Sequence, residues 1–406
     1  MSSTDNFLVS EAQLVLEQAR KEKAETLKTL GEPLELFGKA LALEIKDGFA
    51  WIAENTSTIR KLDLESGKTL QIYKGHTGPV TSLAFCDRTP GSGDQELLIT
   101  GSWDKSIRVW DTVTKQQVSC TPDAHSDFVK TFHVFPSLRL LVSGSSDKIV
   151  RFWDISQPES PEPLKSLGSI SSHTRPVECL DGAATSETSA ILFTGDTMGV
   201  IKVWNLQKDT GTPPRWNATE KDAINHHRTR INELRYGNGQ LWTASADETV
   251  RVLQYKANDT HNKSPTPPAP ITHPVAVRAI LPLSLSDLGE SYLITAAGDV
   301  LRTYDVSEPD HPELLSEIDA HAHDITDIKL WVRKTTKEGG KTYTEPWIIT
   351  TSLDKTIRRW KLTDLLKPPP PPPKSEAKPE AKPTALSQSE LTEEEERELA
   401  ELMEDD

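Results

Sequence analysis

Histidine, serine and aspartate recur in this chain at spacings that could support nucleophilic chemistry. His125, Ser143 and Asp147 form one such set, and His76, Thr100 and Asp104 form another. In a hydrolase an Asp orients a His, which takes the proton of an attacking hydroxyl. An enzyme needs that arrangement once. Here the sets accompany a repeated phrase: "GSWDKSIRVW" (Gly101–Trp110) is followed 43 positions later by "GSSDKIVRFW" (Gly144–Trp153). Further copies are "SADETVRVL" (Ser245–Leu253) and "TSLDKTIRRW" (Thr351–Trp360), with looser ones at "GDTMGVIKVW" (Gly195–Trp204) and "AGDVLRTYD" (Ala297–Asp305). A period of about forty residues marks a repeat architecture. Polar residues that return with every unit belong to the framework of the unit. The third-strand basic residues (Arg60, Arg108, Arg151, Lys202, Arg251, Arg302, Arg358) are read the same way. No catalytic, cofactor-binding or metal-binding residue is assigned.

The elements that must hold these residues are legible in the unit "GHTGPVTSLAFCDRTPGSGDQELLITGSWDKSIRVWDTVTKQQV". Val80, Ser82 and Ala84 alternate as a first short strand, and "ELLIT" is a continuous apolar second strand after a Pro/Gly/Ser/Asp loop. "SWDK" makes a tight turn into the alternating "SIRVWD", and "KQQVSC" is a fourth, outer strand. Four short strands separated by turn residues within about forty positions are one propeller blade.

These units resemble the WD40 family, whose blades carry Gly-His near the start and Trp-Asp at the end of the third strand. The resemblance covers about residues 33–363. Its pairs are His76/Trp110, His125/Trp153, His173/Trp204, His226 or His227 with Leu253, His273/Tyr304, and His321 or His323 with Trp360. A degenerate first unit has Leu62-Asp63 at the Trp-Asp position. The resemblance implies an all-β fold, a seven-bladed WD40 β-propeller with short helical or disordered terminal extensions. It also implies a hydrogen-bond relay from turn Asp to His to a second-strand Ser or Thr to the Trp indole. The complete sets would be His76, Thr100, Asp104 and Trp110; His125, Ser143, Asp147 and Trp153; and Thr350, Asp354 and Trp360 with His321 or His323. Blade four, with Met198 at the Asp position, and blade five, with Leu253 for Trp, should have incomplete relays. The seventh unit lacks a fourth strand, whereas "PLELFG" (Pro33–Gly38) is surplus before the first. That segment is expected to pair with the last blade and close the ring, since an open sheet edge is a liability.

Composition bounds the rest. Net charge is −15 over 406 residues, which disfavours phosphate backbones and favours basic polypeptides. No apolar run reaches the roughly 20 residues of a spanning helix. Three scattered cysteines (Cys86, Cys120, Cys179) fit a reducing compartment, so a cytoplasmic or nuclear location is expected. Residues 1–32 form an N-terminal helical extension in which Leu14, Leu16, Ala19, Leu27 and Leu30 make a helical stripe. Residues 364–389, with a proline run at 368–373, are a Pro-rich disordered linker. Residues 390–406 form an acidic helix or tail with a thin apolar edge of Leu399, Leu402 and Met403. Lys334, Lys337 and Lys341 give blade seven a basic hairpin.

The expected function is a noncatalytic scaffold that binds one or more proteins and assembles a complex, as a monomeric propeller without membrane contact and with nucleic acid only indirectly involved. The alternatives are an acidic escort of a basic client (a ribosomal protein or histone), or a noncatalytic subunit of an RNA-modification or ubiquitin-ligase assembly. Candidate partner contacts on the loops are Trp103, Phe128, Arg175 and Arg230, because aromatic and Arg residues anchor protein interfaces. Leu399, Leu402 and Met403 are candidates on the tail.

Overall fold

Seven four-stranded antiparallel sheets follow one another along the chain. The structure is a computed structural model, and the residues it describes are 11–367 apart from 90, 95, 213, 257–267, 309 and 337–341. The acidic tail, with Leu399, Leu402 and Met403, and residues 368–389 of the Pro-rich linker lie outside the described residues, as do Lys337 and Lys341 of the basic hairpin. The first residues assigned to that linker, 364–366, are instead helical, because Leu365 is buried against the last blades.

In blade two the strands are Val80–Cys86, Leu97–Ser102, Ile107–Asp111 and Gln117–Thr121, from the innermost outward. The second strand is buried along its whole length, as a continuous apolar run between two covered faces should be. The connection from second to third strand needs one residue in the left-handed region in every blade. Ser57, Lys105, Lys148, Gly199, Glu248, Gly298 and Lys355 fill it, with φ between 62° and 83°. Four of the five non-glycine residues, all but Ser57, are supported in that conformation by the aspartate that precedes them. Asp104 Oδ1 accepts Ser106 N–H at 3.0 Å, Asp147 accepts Ile149 N–H at 3.0 Å, and Asp354 accepts Thr356 N–H at 2.9 Å. Such side-chain-to-backbone bonds let Asp stabilise tight turns.

The inner strands carry a second recurrent irregularity. Each has a register shift near its start, skipping Leu41, Thr81, Lys130, Glu178, Asn232, Arg278 or Thr326 in successive blades. A β-bulge bends a strand and re-aims one side chain. All seven skipped residues line the central channel.

The ring closes through its own beginning. Leu34–Glu35 pairs antiparallel with Thr356–Ile357 as the fourth strand of blade seven, and Leu36 N–H continues the ladder to Lys355 O at 2.8 Å. The pairing is shorter than the Pro33–Gly38 segment, because Phe37 already points into solvent, 79% exposed. Upstream, Gly31 (φ +68°) lets the chain pass against the Trp360 ring, where a Cβ would come within 2.6 Å of the indole. The seam is also stitched from blade seven to blade one. Asp327 accepts Leu43 N–H at 2.9 Å, Lys329 pairs with Glu44 at 2.8 Å, and Arg333 forks onto Glu65 at 2.6 and 2.7 Å.

A helix spans Glu11–Thr26. Its leucine stripe is not what holds it: Leu14 and Leu16 are half exposed, and only Leu27, just beyond the helix, is buried. Lys23 instead bridges Asp299 and Asp319 of blade six at 2.8 and 2.9 Å, and the Arg358 guanidinium caps the Leu27 and Leu30 carbonyls. A five-residue helix, Leu362–Leu366, buries Leu362 and Leu365 after the last strand.

Candidate protein-binding face

The upper face is the end of the ring that carries the turns between second and third strands and the loops entering each blade. Side-chain relays lock these two sets of loops together. In blade two, Trp110 Nε1–H donates to Thr100 Oγ1 at 2.9 Å, Thr100 Oγ1 lies 2.8 Å from His76 Nε2, and His76 Nδ1 lies 2.9 Å from Asp104 Oδ2. Blade three has the same chain through Trp153, Ser143, His125 and Asp147, at 2.8, 2.7 and 2.9 Å. In blade seven Trp360, Thr350, His321 and Asp354 connect at 3.0, 2.8 and 3.0 Å; His323 lies outside the relay. A proton on Nδ1 satisfies every member: the indole donates to the hydroxyl, the hydroxyl to Nε2, and Nδ1–H to the carboxylate. Burial keeps the His321 imidazole neutral by lowering its pKa. Burial would raise the Asp104 and Asp147 carboxyls, but the histidine hydrogen bonds outweigh it and hold both well below the usual range. Asp354 is likewise depressed, to about 2.

The other blades deviate. In blade four His173 Nδ1 makes no hydrogen bond: Asp196, 3.8 Å away, is only a long electrostatic partner and accepts the Met198 and Val200 N–H groups instead, while Thr194 still joins His173 to Trp204. In blade five His227, not His226, meets Asp247, at 3.1 Å, and Leu253 leaves Thr243 without an indole. In blade six Tyr304 approaches His273 at 3.3 Å, and His273 Nδ1 is unpartnered. Blade one replaces the scheme with a buried Glu54–Arg60 pair at 2.5 Å. This pair was invisible in a unit that keeps only the cadence of its third strand. Ser143 and Thr100 are fully buried, so neither hydroxyl can reach a substrate. Among the described residues no group of three or more His, Cys, Asp or Glu side chains could hold a metal ion.

On this rigid frame the four loop candidates fall into two groups. Trp103 and Phe128, from blades two and three, stack with centroids 4.7 Å apart and planes at 14°. They remain 40% and 36% exposed. Arg175 and Arg230, both exposed, belong to blades four and five. Arg230 reaches inward to Glu178 at 3.3 Å, which also faces Lys130 at 3.6 Å. Two further residues of this face are exposed and apolar, Phe37 and Met198 (53%); the sequence marked Met198 only as a departure from the turn aspartate and Phe37 not at all, since single apolar residues in loops are common. Over blades six and seven the N-terminal helix forms a cleft, with Leu16, Ala19 and Arg20 facing Val275, Ala322 and His323.

Comparison with known proteins agrees with this geometry. The family model described as "WD domain, G-beta repeat" matches residues 67–111 and 116–154. An uncharacterized WD repeat-containing protein of Schizosaccharomyces pombe is 28% identical over 369 residues, 88% of each chain. Pre-mRNA-processing factor 19 homolog 2 of Arabidopsis thaliana is 28% identical over 193 residues, 47% of this chain and 33% of that protein. Ribosome biogenesis protein YTM1 of Ajellomyces capsulatus is 30% identical over 155 residues, 38% of this chain and 28% of that one. The crystal structure of the computationally designed Ika8 protein superposes with a TM-score of 0.54 at 20% identity, covering 80% and 83% of the two chains, a likeness of fold alone. With seven blades, the His–Ser/Thr–Trp relays and these relatives in view, the chain is a seven-bladed β-propeller that carries WD40 repeats.

Proposed function

We propose that this protein is a noncatalytic scaffold that binds protein partners through its upper face and assembles them into a complex. The observation that carries the reading is the Trp103–Phe128 stack, two aromatic rings left in solvent on loops that the relays hold still. Buried area in a rigid aromatic step costs little conformational entropy to recruit, and such residues are recurrent hot spots. The names of two partial relatives, a pre-mRNA-processing factor and a ribosome biogenesis protein, support membership of a ribonucleoprotein-processing assembly and a nuclear location. The net charge of −15 and the acidic segment 390–406 support a second reading, an escort that shields a basic client. Affinity purification with mass spectrometry tests both. It compares the full chain, Trp103→Ala/Phe128→Ala, and a chain ending at Lys367, each at rising salt. The scaffold reading expects partners lost with the aromatic pair and retained without the tail; the escort reading expects early loss with salt and loss with the tail. Recruitment unchanged in both variants would refute both.

A further inference from the structure

The protein as a whole is acidic, yet one sector of its upper face gathers the exposed arginines Arg175, Arg228 and Arg230. The turn of blade four presents Met198, 53% exposed, at a position where nothing apolar is needed. Gly199 beside it packs so closely on the entry loop of blade five that a Cβ would come within 2.6 Å of His227 O and 2.8 Å of Thr229 O. Arg228 and Arg230 of that loop therefore flank Met198 on one side. Arg175 flanks it on the other: it holds the place that Gly78 has in blade two, where a Cβ would lie 2.9 Å from the turn nitrogen of Asp104.

The bonding of these cations differs from that of most charges in the ring. Among the described residues the side chains of Arg175 and Lys148, the exposed cation of the blade-three turn, have no hydrogen bond or ion pair. Arg228 bonds only the Asp247 carbonyl, at 3.3 Å. The carboxylates near them are already engaged: Glu178 by Lys130 and Arg230, Asp247 by His227 and the Arg228 N–H, and Asp196 by the Met198 and Val200 N–H groups. Guanidinium groups are built for bidentate carboxylate recognition and are weakly hydrated, so leaving Arg175 open and Arg228 with a single long bond beside an apolar side chain is a recognition geometry.

We propose that the sector of the upper face centred on Met198 takes an acidic peptide segment of a partner protein, with carboxylates on Arg175 and Arg228 and an apolar side chain on Met198. The proposal deepens the scaffold reading, on which it rests, by naming the partner's chemistry; it is the reverse of what net charge alone suggests. Charge complementarity selects a short acidic segment over RNA. Asp123, Asp127 and Glu248 bound the sector, and a regular polyanion running past Met198 would meet them and the overall −15, whereas a peptide places its charges locally. The N-terminal helix covers the face over blades six and seven and leaves this sector open.

The test is fluorescence anisotropy on the full chain, with three labelled peptides that share the same leucines and carry Glu, Gln or Lys at all other positions, and with oligouridylate of matching length. The Glu peptide is expected to bind about tenfold more tightly than the Gln peptide, and Arg175→Glu/Arg228→Glu to abolish that preference at unchanged melting temperature. Met198→Asp should weaken the Glu peptide independently of the arginines. Equal binding of Glu and Gln peptides, full retention by the charge-reversed protein, or tighter oligouridylate binding would each overturn the proposal. Affinity purification separates the two levels. If the charge-reversed protein captures every partner of the unaltered chain, the acidic-peptide assignment falls and the scaffold stands; if the unaltered chain captures none, the scaffold falls too.

Discussion

Asp147→Ala and Asp196→Ala form a matched pair that isolates one hydrogen bond of the relay. Asp147 accepts four hydrogen bonds, from His125 Nδ1 at 2.9 Å, from the Ser126 and Ile149 N–H groups at 3.0 Å each and from Ser126 Oγ at 3.4 Å, with the half-exposed Arg151 guanidinium 3.8 Å away. Truncation lets the two loop N–H groups turn to water, but His125 is only 1% exposed, so its Nδ1–H is stranded. A buried unsatisfied donor costs about 1–3 kcal/mol, and the lost charged bonds bring the total to about 3–5 kcal/mol. Asp196 occupies the corresponding blade-four turn but lies 3.8 Å from His173 Nδ1, which already makes no hydrogen bond. Its removal should cost only the turn, about 1–2 kcal/mol. Urea denaturation of the full chain at neutral pH reads the difference from the midpoints at unchanged m-value. The Asp147 carboxyl is held below its ordinary pKa by His125, against the opposing effect of burial. A depressed carboxylate stabilises above its unfolded pKa of about 3.9, and that contribution fades as pH falls toward the folded value. The gap between the unaltered protein and Asp147→Ala should therefore hold steady down to about pH 4.5 and narrow below it. Equal losses in the two variants, or a gap that widens on acidification, would refute the reasoning.

Other outcomes follow from the same geometry. Gly31→Ala should lose about 2–4 kcal/mol in urea denaturation, because the left-handed backbone and the Trp360 ring both resist a Cβ. Deleting Pro33–Gly38 should lower and broaden the thermal transition by baring the outer edge of blade seven, whereas Glu65→Ala should cost at most about 1 kcal/mol, because its pair with Arg333 is half exposed; an equally sharp, unshifted transition in the deletion would mean the ring closes elsewhere. Trp103→Ala/Phe128→Ala should change stability by only about 1 kcal/mol while removing partners. A large drop in melting temperature would make the stack a packing element instead.

The blades were legible because their grammar is repeated: the turn aspartate, the entry histidine and the Trp at the end of the third strand each serve a local bond that every unit must make. Where the bond is made differently, the pattern fell silent. Glu54 and Arg60 do for blade one what His and Asp do elsewhere, and neither residue type announces the substitution. The choice between His226 and His227 was equally closed to reading, since adjacent residues differ only in which one the loop turns toward Asp247. The channel was hidden for the opposite reason. Its bulged positions share a backbone feature but no residue type, from Leu41 to Lys130 to Asn232, so no periodic signal exists. Likewise Arg175 and Arg230 stood out as arginines, but that one is unpaired and the other engaged by Glu178 depends on reach across neighbouring blades.

Closure by the leading segment also dictates an order of events. Leu34 and Glu35 cannot find their ladder until Thr356 and Ile357 have been synthesised, more than three hundred residues later. During translation the first blade waits beside an absent neighbour, and its apolar flank is available to chaperones or to other nascent chains. A polypeptide stalled short of blade seven is thus an open fan, and quality control can distinguish it from the finished ring by that one bare edge.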